Sequence, residues 1–206
     1  MLKNLIRAIL IIRRLLKEGG YLKETGWINS IRKRQSIDKN NIPIPWVTYP
    51  FLGFIKDRLS PSMTLFEYGS GNSTLFWAEK LKFVASVEHD RKWFDKMKPK
   101  IPLNVKYKLY EIGNGYVESI QSFGMNFDII FIDGRERVAC IKLSYRFLNP
   151  DGVIIWDNSL REKYKEGIVF LKDQGFRQID FKGLNPLGTV DTVTSVFYRQ
   201  TNCLNI

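Results

Sequence analysis

The chain has 206 residues, of which 44% are hydrophobic and 14% aromatic, enough for one packed domain and a short extension. This composition excludes a disordered chain, a collagen-like repeat and a disulfide-built scaffold. The net charge is +11, but residues 1–45 hold ten basic and three acidic residues and so carry +7 of it. The rest of the chain carries only +4, too balanced a surface for a nucleic-acid groove, so no nucleic-acid partner is expected.

A basic amphipathic helix is predicted at the amino terminus. Apolar residues recur at helical spacing over residues 2–16, and basic residues gather on another side. The stretch is interrupted by arginines and is shorter than the roughly 20 apolar residues that span a bilayer. Without a cleavage site or a disulfide pattern, the sequence predicts a cytoplasmic protein. For residues 1–18 it leaves open peripheral contact with a membrane, docking to a partner, or packing on the protein's own domain.

The extension is predicted to end at residue 45. Residues 19–45 are polar and basic, and they finish in Ile-Pro-Ile-Pro (42–45), which cannot continue a helix. The main domain is therefore placed at residues 46–206. It begins with a helix over residues 46–59 that leads into the first strand.

From residue 63 onwards, apolar strand-like runs alternate with helix-like segments. This alternation predicts an α/β fold with a doubly wound, mostly parallel sheet of seven strands. The runs at 128–132 and 153–156 are apolar without alternation, as in central strands covered on both faces. The last two strands, joined by a loop rich in Gly, Pro and Asn, predict a C-terminal antiparallel hairpin. The predicted strands are 63–68, 83–88, 105–110, 127–133, 152–157, 176–181 and 192–198.

A glycine-containing turn follows the first strand. Residues 67–74 read Glu-Tyr-Gly-Ser-Gly-Asn-Ser-Thr, between an apolar strand and a predicted helix. Gly69 and Gly71 permit a tight turn and close approach of a ligand to the backbone, and the helix amino end would face that ligand. A dinucleotide fingerprint would place glycine at position 74, where Thr74 stands.

The second strand ends in Glu88, His89 and Asp90, 19 to 21 residues after Gly69. One carboxylate can accept hydrogen bonds from both ribose hydroxyls of a nucleoside. We assign Glu88 to that role and Asp90 to the cap of the following helix. His89 is the single histidine of the chain.

Acidic residues also end two buried strands. Asp133 closes the strand at 127–133, and Asp157 with Asn158 closes the strand at 152–157. A carboxylate in such a position is costly unless a cation, metal or substrate donor accompanies it, so we expect both to face the cleft. Together they offer three hard oxygen ligands from adjacent strands, a set that suits Mg²⁺.

These motifs, within residues 63–198, resemble those of the class I S-adenosylmethionine-dependent methyltransferases. The first motif of that family reads acidic-x-Gly-x-Gly-x-Gly, and Ser73 replaces its third glycine. The resemblance implies an enzyme that methylates a hydroxyl of a small molecule or saccharide, as a monomer or homodimer. It implies contacts between S-adenosylmethionine and a set of residues at the strand ends: Glu67, Tyr68, Gly69, Ser70, Gly71, Ser73, Glu88, His89 and Asp133.

The two central strand ends are similar to those of the metal-dependent, catechol-type O-methyltransferases. The resemblance implies a divalent cation, Mg²⁺ or another, on Asp133, Asp157 and Asn158. Those enzymes carry a lysine shortly after the first aspartate, where this chain reads Gly-Arg-Glu-Arg (134–137). A metal-free reading therefore stays open, in which Asp133 is the catalytic base and Arg135 or Arg137 binds an anionic acceptor such as a uronate or phosphate. Arg137 is expected on a solvated helix face.

Two other classes of function remain open from the sequence. One is another nucleotide-binding α/β enzyme, such as a dehydrogenase, against which the absent third glycine and Asp133 argue. The other is a non-catalytic membrane-associated or scaffold protein that retains the fold.

Overall fold

The predicted strands form one seven-stranded sheet in the computed structural model, which describes residues 2–206. In chain order they are β1 (Thr64–Tyr68), β2 (Phe83–Glu88), β3 (Val105–Leu109), β4 (Phe127–Ile132), β5 (Leu148–Asp157), β6 (Arg177–Gly183) and β7 (Thr192–Tyr198). The order across the sheet is β3-β2-β1-β4-β5-β7-β6. Strands β1 to β5 are parallel, and β7 pairs antiparallel with both β5 and β6. The predicted mixed α/β sheet and its terminal hairpin are confirmed.

Eight α-helices accompany the sheet within the described residues. They are α1 (Leu2–Leu16), α2 (Tyr21–Glu24), α3 (Trp27–Lys33), α4 (Tyr49–Lys56), α5 (Asn72–Lys80), α6 (Arg91–Met97), α7 (Arg137–Ser144) and α8 (Lys165–Asp173). The segment predicted as a helix between β3 and β4 is a 3-10 helix, Val117–Phe123. Asp90 caps α6 as predicted, because its carboxylate accepts a hydrogen bond from Trp93 N at 2.8 Å.

The sheet is covered on both faces, which explains the strands without alternation. Ile129 and Phe131 of β4 pack in the cluster that contains α4 and α5, whereas Ile130 and Ile132 pack in the cluster that contains α7 and α8. Successive side chains of a strand point to opposite faces, so a strand between two helical layers buries every residue.

The N-terminal segment divides into an exposed helix and a packed part. Every residue from 3 to 19 is exposed, and Gly20 is the first buried one. Beyond it, Trp27 Nε1 donates to Gly188 O at 2.8 Å, and Ile37 and Ile44 are buried. The change from exposed to packed chain therefore lies at Gly20, inside the predicted extension, and the domain boundary at residue 45 stays a prediction. Residue 1, where the predicted extension begins, lies outside the described residues.

No helix among the described residues is both long enough and apolar enough to cross a membrane. Helix α1 nevertheless presents a wide apolar surface with basic residues beside it. Its large exposed apolar side chains are Leu5, Ile6, Ile9, Leu10, Ile11, Ile12, Leu15 and Leu16. The helix is thus not packed on its own domain, one of the three readings that the sequence left open.

Candidate active site

A cavity of about 710 Å³ opens at the carboxyl ends of β1, β2, β4 and β5. Ligands of doubly wound sheets bind at this edge, where the strand order reverses on either side of β1 and β4. Adjacent strands lie about 4.8 Å apart, so the ends of β2 and β5 are separated by roughly 14 Å. The cavity therefore has a β1/β2 end and a β4/β5 end. All the predicted site residues line it except Glu67 and Tyr68.

The glycine turn brings the loops after β1 and β4 into contact. Gly69 has a φ of +94°, a conformation that glycine adopts readily. A Cβ at Gly69 would lie 3.2 Å from Gly134 Cα, and a Cβ at Gly134 would lie 1.9 Å from the hydroxyl oxygen of Tyr116. The two loops therefore approach each other closely only because both positions lack a side chain. Gly71, Asn72 and Ser73 continue the turn into α5 along the cavity wall.

Glu88 organises the β1/β2 end of the cavity. Its Oε2 accepts hydrogen bonds from Ser70 N at 3.1 Å and Ser70 Oγ at 2.6 Å. Its Oε1 accepts hydrogen bonds from the backbone N–H groups of His89 and Asp90 at 2.8 and 3.0 Å. A carboxylate offers about four lone-pair sites, and all are used. A ribose hydroxyl would therefore have to replace a donor, and the hydroxyl of Ser70 is one that can rotate away.

His89 lies at the cavity beside Glu88. Its Nδ1 is 2.9 Å from Glu88 Oε1, but the alignment is too poor for a hydrogen bond. Its ring packs edge-on against Tyr116, with 5.8 Å between the ring centroids. The side chain thus forms part of the wall near the end of β2.

Glu67 and Tyr68 lie beneath the cavity rather than in its lining. Glu67 is fully buried, and its Oε2 accepts hydrogen bonds from Thr74 Oγ1 at 2.5 Å and Ser86 Oγ at 2.8 Å. Its Oε1 has no hydrogen-bond partner among the described residues, and burial raises the pKa of the carboxyl to about 7. The Tyr68 hydroxyl donates to Val117 O at 2.6 Å, away from the ligand space. Both residues support the turn from below.

The residue that sequence reasoning missed is Arg137, which is buried rather than solvated. Its Nη2 donates to Asp133 O and Asp133 Oδ1, each at 2.9 Å, and its Nε donates to Gly134 O at 2.9 Å. Its Nη1 donates to Asp157 O. One guanidinium thus joins the ends of β4 and β5. The acidic residues at both strand ends could have indicated a buried cation, but the spacing did not single out Arg137.

Asp133 and Asp157 both have pKa values raised above the ordinary value of an aspartate. Burial is the largest cause for each, and the charge of Asp157 adds to the rise at Asp133, whereas Arg137 opposes it. Asp157 is 3% exposed, and its Oδ1 accepts a hydrogen bond from Thr194 Oγ1 at 2.7 Å. Asp133 keeps 27% of its side chain exposed, and its Oδ2 accepts no hydrogen bond within residues 2–206. Asp133 is therefore the carboxylate that opens into the cavity.

The predicted divalent-cation site does not fit this arrangement. Asp133 Oδ1 is bonded to the Arg137 guanidinium, and both carboxylate oxygens of Asp157 accept protein donors. The Asn158 amide donates to Asp157, and its carbonyl oxygen accepts a hydrogen bond from Arg161. Across residues 2–206, no cluster of three or more His, Cys, Asp or Glu side chains could hold a metal ion. The expectation of Mg²⁺ on Asp133, Asp157 and Asn158 is corrected, since a protein cation already serves the exposed carboxylate.

The N-terminal segment and the β6–β7 loop complete the cavity wall. Residues 34–36 line the cavity, and the Asn72 side chain donates to Ser36 O at 2.7 Å, which ties this segment to the start of α5. On the far side, Trp46 Nε1 donates to Asn185 Oδ1 at 2.9 Å. Trp46 also lines the cavity. No pattern in the sequence indicated that residues 34–36 would reach it.

No protein-family model and no curated protein sequence matches the chain, but solved structures match its fold. Precorrin-6y C5,15-methyltransferase from Geobacter metallireducens has a TM-score of 0.61 at 14% identity, over 82% of this chain and 96% of that chain. An O-methyltransferase from Bacillus cereus in complex with SAH has a TM-score of 0.59 at 17% identity, over 86% and 95%. An rRNA methylase from Streptococcus thermophilus has a TM-score of 0.56 at 14% identity, over 76% and 100%.

The chain has the fold of the class I S-adenosylmethionine-dependent methyltransferases. The alignments with this chain cover nearly the whole length of the neighbours, and the sheet order and terminal hairpin belong to that fold. The fold predicted by resemblance is therefore confirmed. The three neighbours are named for different acceptors or reactions, so the fold does not select the acceptor.

Proposed function

We propose that this protein is an S-adenosylmethionine-dependent methyltransferase that methylates a hydroxyl of a small molecule or saccharide. The observation that carries the proposal is one cavity with two different ends. Gly69, Gly71 and Glu88 form the β1/β2 end, where a nucleoside binds in this type of sheet. Asp133 opens into the same cavity from β4, one strand further along.

The β1/β2 end suits the cofactor in size and chemistry. A cavity of about 710 Å³ lies within the usual range of roughly 300–1,000 Å³ for ligand pockets. Gly71 leaves open space, since a Cβ there would meet only the Trp93 ring at 3.8 Å. Glu88 would accept the ribose hydroxyls, and the start of α5 would face the negative end of the ligand. When bound, S-adenosylmethionine supplies an electrophilic methyl group.

Asp133 is the residue proposed to remove the acceptor proton. Its Oδ2 accepts no hydrogen bond from the part of the chain that the structure describes, whereas Arg137 fixes Oδ1 and so sets the direction of the carboxylate. Burial raises the pKa of this carboxyl, which makes the ionised form a stronger base. Asp133 Oδ2 would accept the proton that the acceptor hydroxyl loses when it takes the methyl group, the methyl–sulfur bond of S-adenosylmethionine breaking and S-adenosylhomocysteine leaving. The enzyme contributes position and one proton transfer.

Thermal unfolding of the full chain tests the cofactor. We expect S-adenosylmethionine and S-adenosylhomocysteine to stabilise the protein, and NAD to have no effect. A ligand at about 100 times its dissociation constant adds about 2.7 kcal/mol, on the order of 5–10 °C for a domain of this size. Stabilisation by NAD alone would establish the dehydrogenase-like alternative, and no stabilisation by any of the three would favour a non-catalytic protein.

Asp133→Asn is expected to abolish most of the turnover while leaving the affinity for S-adenosylhomocysteine within about twofold. Asparagine keeps the size and the acceptor oxygen for Arg137, but it cannot take a proton. General-base removal typically costs about 10²–10⁴ in rate. Titration calorimetry with S-adenosylhomocysteine and a methyl-transfer assay give the two readouts, and full activity of the variant would exclude the base role.

We further propose that α1 holds this otherwise cytoplasmic protein at an anionic membrane surface, as a monomer or homodimer. Its apolar side chains are exposed from Leu5 to Leu16, and basic residues flank them, which is the pattern of a helix that lies in a membrane interface. Each basic residue near an anionic leaflet contributes about 1 kcal/mol.

Sedimentation with vesicles tests α1. The full chain is expected to bind phosphatidylglycerol vesicles and to bind neutral phosphatidylcholine vesicles much less. Ile9→Asp should weaken this binding at least about tenfold, because a charge would enter the apolar face. Val190→Asp, on an exposed loop residue far along the chain, is the matched control. Failure of the full chain to bind anionic vesicles would refute membrane contact and leave partner docking.

A further inference from the structure

The β4/β5 end of the cavity has more arginine side chains than form ion pairs with its carboxylates. Asp133 and Asp157 are the two acidic residues at this end, and Arg135, Arg137 and Arg161 are the basic ones. Arg137 serves the strand ends and is buried. Arg135 and Arg161 are exposed to the cavity, and neither makes an ion pair among the described residues.

Contacts in the two loops fix the backbone of Arg135 and the guanidinium of Arg161. Arg135 directly follows Gly134, whose close contact with Gly69 fixes the loop after β4, and Arg135 N donates to the Tyr116 hydroxyl at 3.4 Å. Arg161 donates to the side-chain oxygen of Asn158, which keeps it above the end of β5. Because β4 and β5 are neighbours about 4.8 Å apart, two long side chains from their ends can reach one ligand group. The two arginines line one cavity from separate segments, unlike a charged helix face.

We infer that the acceptor carries an anionic group, a phosphate or a carboxylate, which Arg135 and Arg161 bind beside Asp133. This inference rests on the proposed methyltransferase function and narrows its substrate class. Guanidinium forks match the geometry of both anions and form the stronger, charge-assisted hydrogen bonds. Anchoring the anion at the two arginines would leave a hydroxyl elsewhere on the acceptor to face Asp133. A cavity of about 710 Å³ favours a small acceptor over a nucleic-acid backbone.

The test uses the full chain saturated with S-adenosylhomocysteine. Inorganic phosphate and malonate are titrated separately at constant ionic strength, with chloride as the reference anion, and binding is followed by thermal unfolding. We expect at least one of the two anions to stabilise the wild type more than chloride. In R135Q/R161Q the apparent affinity should fall about tenfold or more, and in the control R177Q, an exposed arginine outside the cavity, it should be unchanged. The better-binding anion indicates whether the group is a phosphate or a carboxylate.

The outcomes separate the two proposals. If S-adenosylhomocysteine stabilises the protein but both anions act equally on wild type and R135Q/R161Q, the anionic acceptor is refuted and the methyltransferase proposal stands. If S-adenosylhomocysteine itself has no effect, both fail. A 20-nucleotide RNA that binds more tightly than phosphate, and loses its binding in R135Q/R161Q, would overturn the small acceptor in favour of RNA.

Discussion

Arg137→Met is expected to lower the free energy of unfolding by about 3–5 kcal/mol, the usual loss when one partner of a buried ion pair is removed. Methionine keeps much of the apolar stem but donates no hydrogen bond. Asp133 then loses its cation, and the carbonyl oxygens of Asp133, Gly134 and Asp157 lose their donor. For a chain of this length the melting temperature should fall on the order of 10 °C.

Urea denaturation of two further variants checks this interpretation. Lys142 lies on the same helix as Arg137 and forms an ion pair with Glu166 of α8. Lys142→Met removes this pair, which is exposed and should be worth no more than about 1 kcal/mol. Adding Asp133→Asn to Arg137→Met should recover part of the lost stability, because no unpaired charge then remains. If Arg137→Met is no more destabilising than Lys142→Met, the guanidinium does not join the two strand ends.

The sequence predicted the sheet well because its signals are local. Non-alternating runs such as 128–132 identify strands between two helical layers, and Gly69 with Gly71 marks the turn after β1. Since parallel strands all end at one edge, strand ends far apart in sequence could be assigned to one site. This placed Glu88 and Asp133 in the same cavity before any geometry was known.

The predictions that failed depend on which hydrogen bonds form across the chain. The right atoms for a cation are present in Asp133, Asp157 and Asn158. Two of these oxygen atoms, however, accept hydrogen bonds from arginines: Asp133 Oδ1 from Arg137 and the Asn158 side-chain oxygen from Arg161. Arg137 follows Glu136, whose backbone is left-handed with a φ of +46°, and no residue pattern indicates this turn. Residues 34–36 reach the cavity through one hydrogen bond to Asn72, again without a signal in the sequence.

Glu67 gives the second large expected effect, a dependence of stability on pH. Burial raises the pKa of its carboxyl from 4.5 to about 7. Between these values the folded protein holds a proton that the unfolded chain has released, so the free energy of unfolding falls as pH rises from about 4.5 to 7 and stays lower above that. The difference in pKa corresponds to about 3 kcal/mol.

Glu67→Gln is expected to remove this contribution. Glutamine can still accept hydrogen bonds from Thr74 and Ser86 but cannot ionise. Between low pH and pH 8, the wild type therefore loses about 3 kcal/mol more of its free energy of unfolding than the variant does. Urea denaturation at pH 5 and pH 8 measures the difference, which includes the smaller rise that the charge of Glu67 adds to the pKa of Asp133. Glu162→Gln, whose side chain is 85% exposed, is the matched control and should follow wild type. If the free energies of unfolding of wild type and Glu67→Gln differ by the same amount at pH 5 and pH 8, Glu67 stays ionised beneath the glycine turn. It would then place a fixed negative charge under the proposed cofactor site.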